Sequence, residues 1–198
     1  MKGATSLLHA FTVQKLKITA ANPEKAPATI TRYTKPYRET LEDDLIDLAV
    51  QTATTCGKWM LFPSLIDLAR TWRLVVEATA EGKLGPTSKV ATYDSNSSKD
   101  ERVICVYTYD FTDSLDVRRV LDELVELGLC SGKMERGIFY KCDAWTYLDL
   151  MSGNEYGIKV SLYSSKDMLA DDGRTAFQKG GNVKVVEGVI ARFKRSRI

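Results

Sequence analysis

Apolar residues recur every three or four positions in three stretches of the chain, which is the spacing of a helix that buries one face. The first stretch opens at Thr40, where the sequence Thr-Leu-Glu-Asp resembles a capping box, and it ends before Gly57. The second begins with Ser64 as N-cap, and the third begins at Asp113 or the following serine and ends at Gly128. The pattern therefore predicts three amphipathic helices.

Short segments of alternating or continuous apolar character lie between and after these helices. They predict β-strands at residues 58–62, 89–93, 103–109, 137–142 and 158–163, with a further edge strand at 183–190 and a partly extended stretch at 143–157. Three helices are too few to cover both faces of such a sheet. We therefore expect an α+β fold, in which the helices pack on one face of a mostly antiparallel sheet and leave the other face free for a ligand.

Alternation along the strand at residues 103–109 assigns its side chains to these two faces. Ile104 and Val106 belong to the mostly aliphatic face, which should meet the helices, and Tyr107 belongs to the other. Lysines beside aromatic rings on an open sheet face would suit a nucleotide or an RNA phosphate. A second interpretation stays open, in which these lysines simply cover a solvated sheet.

The net charge of +2 hides an uneven distribution. Residues 1–39 carry seven Lys or Arg against two Glu, and residues 174–198 carry seven against one, so the middle of the chain is acidic. We expect a loosely ordered basic arm at residues 1–35, an α+β domain at 36–165 and a basic extension at 166–198. Basic ends suit phosphate-bearing partners, although solvated tails of this kind are common.

The chain has one histidine, His9, which leaves few routes to catalysis. Ser-His and Cys-His nucleophiles and histidine-ligated zinc all require imidazoles, and no Cys-x-x-Cys sequence replaces them. We expect no enzyme, no metal and no cofactor, although chemistry that uses carboxylates alone stays open. The four cysteines are far apart and indicate reduced thiols of an intracellular protein. Apolar runs are too short for a membrane helix, and no secretory signal is recognised.

Aromatic and basic residues supply the candidate binding groups. Trp72 lies on a helical apolar stripe and is expected in the core, as is Trp59 on its strand. The residues expected to stack on a base are Tyr107, Trp145 and Tyr156. The residues expected to contact phosphate are Lys58, Lys141 and Lys159.

Several segments resemble known proteins. The sequence Gly-Lys-Trp-Met-Leu-Phe at residues 57–62 resembles the Gly-Gly-Arg-Trp-Leu strand of the mRNA cap-binding translation initiation factor 4E, and residues 103–108 resemble a later strand of that factor. A closer similarity is to an uncharacterised eukaryotic family of the basophilic leukaemia expressed protein type. It rests on the same strand, on Tyr140, Lys141 and Asp143, and on the turn at residues 154–157. The likeness covers roughly residues 36–165.

The resemblance implies a curved sheet with three helices on its convex face and a ligand on its concave face. Lys58 matches a phosphate-facing arginine of the factor, but the two tryptophans that enclose its methylguanine come from segments that here contain only Phe11, Tyr33 and Tyr37 as aromatic residues. We therefore expect binding of a nucleotide or RNA end, with a peptide-docking helical face as the alternative. From the reduced cysteines we expect an intracellular protein in the cytoplasm, with the nucleus left open.

Overall fold

The computed structural model describes residues 3–92 and 100–170. We describe two compact units in turn: the helical unit, residues 3–54 and 144–160, and the sheet unit, which holds the other described residues. The expected strand at 183–190 and most of the basic extension lie outside the described residues. The elements are α1 (Ala4–Ala20), α2 (Pro27–Gln51), β1 (Gly57–Leu61), α3 (Leu65–Ala80), β2 (Ser88–Val90), β3 (Ile104–Thr108), α4 (Ser114–Glu126), β4 (Phe139–Cys142), α5 (Asp143–Tyr147), β5 (Tyr163–Ser164) and α6 (Ser165–Ala170).

The helical unit differs from the expected loosely ordered arm. Residues 4–20 form α1, which buries Ala4, Leu8 and Phe11 along one side. Pro27 is the first residue of α2. A backbone N–H at that position has no partner within the helix, so the N–H that proline lacks costs no hydrogen bond. The sequence does carry signals for these two helices. They are apolar residues spaced by three and four positions in α1 and a proline at the start of α2.

The helix predicted to open at Thr40 is part of α2, which begins thirteen residues earlier at Pro27 and runs through Pro36. Thr40 does not cap it: its hydroxyl donates a hydrogen bond to the Pro36 carbonyl at 3.2 Å, inside the helix. Of the predicted apolar stripe, Leu41, Leu45 and Ala49 are buried and Leu48 is half-buried, whereas Thr52 at the end of the helix is exposed. On the same helix, burial raises the pKa of Glu42, an effect that the nearby Arg38 opposes.

The sheet unit contains five antiparallel strands in the order β2-β3-β1-β4-β5, which confirms the α+β class and the antiparallel sheet. The strand expected at residues 158–163 is present only as the two-residue β5. The stretch expected to be partly extended begins instead with the short helix α5. No helix among the described residues combines the length and the apolar character needed to span a membrane.

Two helices of the sheet unit begin at the predicted caps. The Ser64 and Asp113 side chains accept hydrogen bonds from the backbone N–H groups of Asp67 and Asp116. Trp59, on the same sheet face as Val106, donates its indole N–H to a carbonyl of α4 at 3.0 Å. The aliphatic face therefore meets α4, as the alternation predicted.

Candidate functional site

The other face of the sheet carries three lysines and a tyrosine. In the antiparallel register Lys58 of β1 lies opposite both Tyr107 of β3 and Lys141 of β4. Lys89 of β2 lies opposite Cys105, two residues from Tyr107 on the same side of β3. We call Lys58, Lys89, Tyr107 and Lys141 the lysine–tyrosine face. It unites three of the six residues that the sequence proposed as ligand contacts.

Tyr107 is the centre of this face. The ammonium nitrogens of Lys58 and Lys89 each lie 5.4 Å from the centroid of its ring, within the range of a cation–π interaction. A hydrogen bond with Tyr107 also raises the pKa of Lys89. Lys89 is exposed and therefore presents a stable positive charge to solvent beside the ring.

Asp143 is a member of the site to which the sequence analysis assigned no role. Its carboxylate forms an ion pair with Lys58, and its backbone N–H donates to the Cys56 carbonyl at 2.8 Å, at the junction of β4 and α5. The signal that could have found it was the Tyr-Lys-x-Asp likeness, which already placed this carboxylate two residues after Lys141.

The lysine–tyrosine face is less open than the alternation predicted. Lys58, Tyr107 and Lys141 are each less than a tenth exposed, whereas Lys89 on β2 is open to solvent. Lysines are rarely buried to this degree without polar partners, and Asp143 supplies one for Lys58. A ligand would therefore meet this face first at Lys89.

The thiols beside this face are not activated as nucleophiles. Burial raises the pKa of Cys105, and burial together with the nearby Asp143 carboxylate raises the pKa of Cys56. A raised pKa lowers the thiolate fraction at neutral pH, and the thiolate is the reactive form. None of the four cysteines, all of which lie in the described part of the chain, takes part in a disulfide. Among residues 3–92 and 100–170, no group of three or more His, Cys, Asp or Glu is arranged to hold a metal ion.

The remaining predicted contacts belong to the helical unit. Trp145 is buried, so neither face of its ring is open to a base, and its indole N–H has no hydrogen-bond partner among the described residues. Tyr156 is half-buried with its ring 6.3 Å from that of Phe11, and Lys159 is exposed. Tyr107 is itself only 9% exposed, and what distinguishes it as the centre of a site is the pair of lysine ammonium groups beside its ring.

A family model now places the chain among known proteins. The model of the basophilic leukemia-expressed protein Bles03 matches residues 1–149. The chain belongs to the Bles03 family. The match confirms the family to which the sequence pointed, and it contains every residue of the lysine–tyrosine face as well as Asp143. It also takes in α1 and all of α2, so the N-terminal helices are part of the Bles03 family pattern.

Proposed function

We propose that this Bles03-family protein is a non-catalytic binding protein that takes a nucleotide or a phosphorylated RNA end at the lysine–tyrosine face. The observation that carries the proposal is the Tyr107 ring with two lysine ammonium groups 5.4 Å from its centroid. Lysine binds phosphate as a compact charge, and an aromatic ring beside it suits a base. The unactivated thiols favour binding over catalysis.

The proposal includes a fold similar to that of initiation factor 4E, with a curved sheet and helices on its convex face. Five antiparallel strands and the position of Lys58 in β1 support it. The absence of a tryptophan pair from the first 58 residues argues against a methylguanine sandwich. We therefore propose that the phosphates contribute more to recognition than a methylated base does. Nucleotides and RNA ends occur in both cytoplasm and nucleus, and we propose the cytoplasm as the main location.

Neutralising Lys89 tests this site without disturbing the core, because Lys89 is exposed on an edge strand. We expect Lys89→Gln to weaken binding of a nucleoside triphosphate and of 5′-triphosphate RNA about tenfold, the effect of one charge-assisted contact. Isothermal titration with these two ligands, and with capped and 5′-hydroxyl RNA of the same sequence, measures it.

Two variants serve as controls for this titration. Lys89→Arg keeps the charge and should keep most of the affinity, and Lys83→Gln removes an exposed lysine that pairs with Glu81 outside the face. Affinity that does not depend on the 5′ group, or an equal loss in Lys83→Gln and Lys89→Gln, would contradict the proposal.

A second candidate function rests on α3. The sequence predicts an apolar face on this helix made of Leu65, Leu68, Ala69, Trp72, Val75, Val76 and Ala80. Of these residues Val75 alone is buried, together with Thr71 and Ala78, whereas Leu65 is 48% exposed, Val76 is 40% exposed, Ala69 is exposed and Trp72 is half-buried. We call Leu65, Ala69, Trp72 and Val76 the α3 seam. Their spacing of four, three and four positions is the pattern by which one amphipathic helix docks on another.

We expect the α3 seam to bind an amphipathic helical peptide of another protein. Selection from a displayed library of helical peptides should enrich sequences with apolar residues at positions i, i+4 and i+7. The enriched peptides should bind the Val76→Asp variant at least tenfold more weakly, because a carboxylate in the seam would have to be desolvated. The matched variant Arg73→Asp, at an exposed position outside the seam, should bind them normally. Selection without enrichment, or equal binding by both variants, would exclude this function.

A further inference from the structure

The turn between α1 and α2 collects exposed cations within the helical unit. Lys17 lies in the last turn of α1, Lys25 in the connection and Arg32 in the second turn of α2, and all three are exposed. Backbone hydrogen bonds from Ala21 to Lys17 and from Lys25 to Asn22 make the connection a compact turn. At about 1.5 Å of rise per residue, Lys17 and Arg32 lie within roughly 8 Å, measured along their helices, of the ends that this turn joins. We call Lys17, Lys25, Arg32 and Tyr33 the basic tip.

The sequence that contains the basic tip is poor in acidic residues. Between residues 3 and 38 the sequence has six Lys or Arg and one acidic residue, Glu24. The other three basic residues there already have partners: Lys15 donates to the Glu155 carbonyl at 2.7 Å, Lys35 forms an exposed ion pair with Glu39 at 3.7 Å, and Arg38 pairs with Glu42 at 3.9 Å. An excess of cations on one exposed turn attracts a polyanion, because each phosphate that it neutralises releases condensed counterions.

Two tyrosines lie beside these cations on α2. Tyr33 is 39% exposed and Tyr37 is 47% exposed, and they are one helical turn apart. The Arg32 guanidinium lies 5.7 Å from the centroid of the Tyr33 ring. Cations that follow a phosphate backbone, together with rings on which bases can stack, are the combination by which proteins bind single strands without sequence preference.

We propose that the basic tip binds single-stranded nucleic acid, with the backbone phosphates at Lys17, Lys25 and Arg32 and a base on Tyr33. The inference does not depend on the function proposed for the lysine–tyrosine face, since no residue is shared. An anionic membrane is the competing polyanion. Interfacial binding needs an apolar face beside the cations, and Leu16 is the one exposed large aliphatic side chain among residues 3–38. The exposed rings therefore favour nucleic acid.

Fluorescence anisotropy of the full chain with a labelled RNA single strand of about 20 nucleotides tests the proposal. The RNA carries a 5′-hydroxyl, so that recognition of a phosphorylated end does not contribute. For Lys17→Glu with Arg32→Glu we expect weaker binding, and a dependence of log K on log salt that is shallower by about 1.4, since each phosphate contact on a single strand contributes about 0.7. Tyr33→Ala should weaken binding about tenfold and leave the salt dependence unchanged.

The double variant Lys133→Glu with Arg136→Glu is the matched control. It makes the same change of charge at two exposed residues of the sheet unit and should lower the salt dependence less. The proposal is overturned if the RNA does not bind, or if both double variants weaken binding equally. It is also overturned if phosphatidylserine vesicles bind the wild type, lose binding on Lys17→Glu with Arg32→Glu and displace the RNA. If Lys89→Gln does not weaken nucleotide binding, the function proposed for the lysine–tyrosine face is wrong, but this test remains valid. Its RNA probe has no 5′-phosphate and does not depend on that face.

Discussion

Replacement of Trp59 by alanine is expected to lower the free energy of unfolding by about 3–5 kcal/mol, the range for a large aromatic side chain removed from a core. Trp59 is fully buried on β1, with its ring edge-on to Tyr140 at a centroid distance of 5.5 Å. Its indole N–H donates to the Val117 carbonyl, which joins β1 to α4. The substitution would leave a cavity and remove the hydrogen bond that joins strand and helix.

Urea denaturation followed by circular dichroism measures this loss, because the signal does not depend on the deleted tryptophan. Trp72→Ala is the matched control, since it deletes the same side chain at a half-buried position of the α3 seam. We expect it to cost less than half as much as Trp59→Ala. Equal losses in the two variants would show that the burial of Trp59 does not determine its contribution.

Gly85→Ala is the second substitution with a large expected effect. A Cβ atom at Gly85 would lie 1.6 Å from the backbone oxygen of Tyr107 and 2.8 Å from its carbonyl carbon. These are backbone atoms of β3, and the Tyr107 N–H is itself held by the Thr87 carbonyl at 3.0 Å. The strand cannot move away without breaking its pairing, so we expect a loss of about 3 kcal/mol, at the upper end of the range for overpacking.

Thermal and urea denaturation of Gly85→Ala compare directly with Gly132→Ala. A Cβ atom at Gly132 would have its nearest contact at 3.8 Å, an ordinary van der Waals distance. Gly132→Ala should therefore change stability by less than about 0.5 kcal/mol, as surface substitutions usually do. If Gly85→Ala were as stable as Gly132→Ala, the close approach of the two backbones would be refuted. Because the added Cβ atom would displace Tyr107, Gly85→Ala should also weaken the binding of any ligand at the lysine–tyrosine face.

Local signals predicted the parts of the fold that depend on local contacts. Ser64 and Asp113 are recognisable as caps because the group that each satisfies lies three residues further along the chain. The two faces of β3 follow from strict alternation, whatever the strand pairs with. The start of α2 was predicted wrongly, because Thr40 has the local sequence of a cap and the apolar spacing before it is weaker. The helix begins at Pro27 and continues through Pro36.

The candidate site was predictable only in part. Lys58, Tyr107 and Lys141 could be proposed from alternation and aromatic neighbours, and the register of β1 with β3 and β4 brings them together. The Lys58–Asp143 ion pair joins residues 85 positions apart, a separation at which no local pattern carries information. Lys89 was assigned to a predicted strand but not to the site, because its place beside Tyr107 depends on the pairing of β2 with β3.

Residue identity and short-range spacing were enough to predict the Bles03 family, the α+β class, the caps of α3 and α4 and most of the apolar side of α2. These depend on residue identity and on spacings of two to four positions. Tertiary structure decided which side chains are covered: it buries Trp145, Lys58, Tyr107 and Lys141, and it leaves Lys89, most of the α3 seam and the basic tip exposed. Amphipathic spacing shows that a helix or strand has an apolar side, but burial depends on which other segments pack against it, and that is a property of the whole chain.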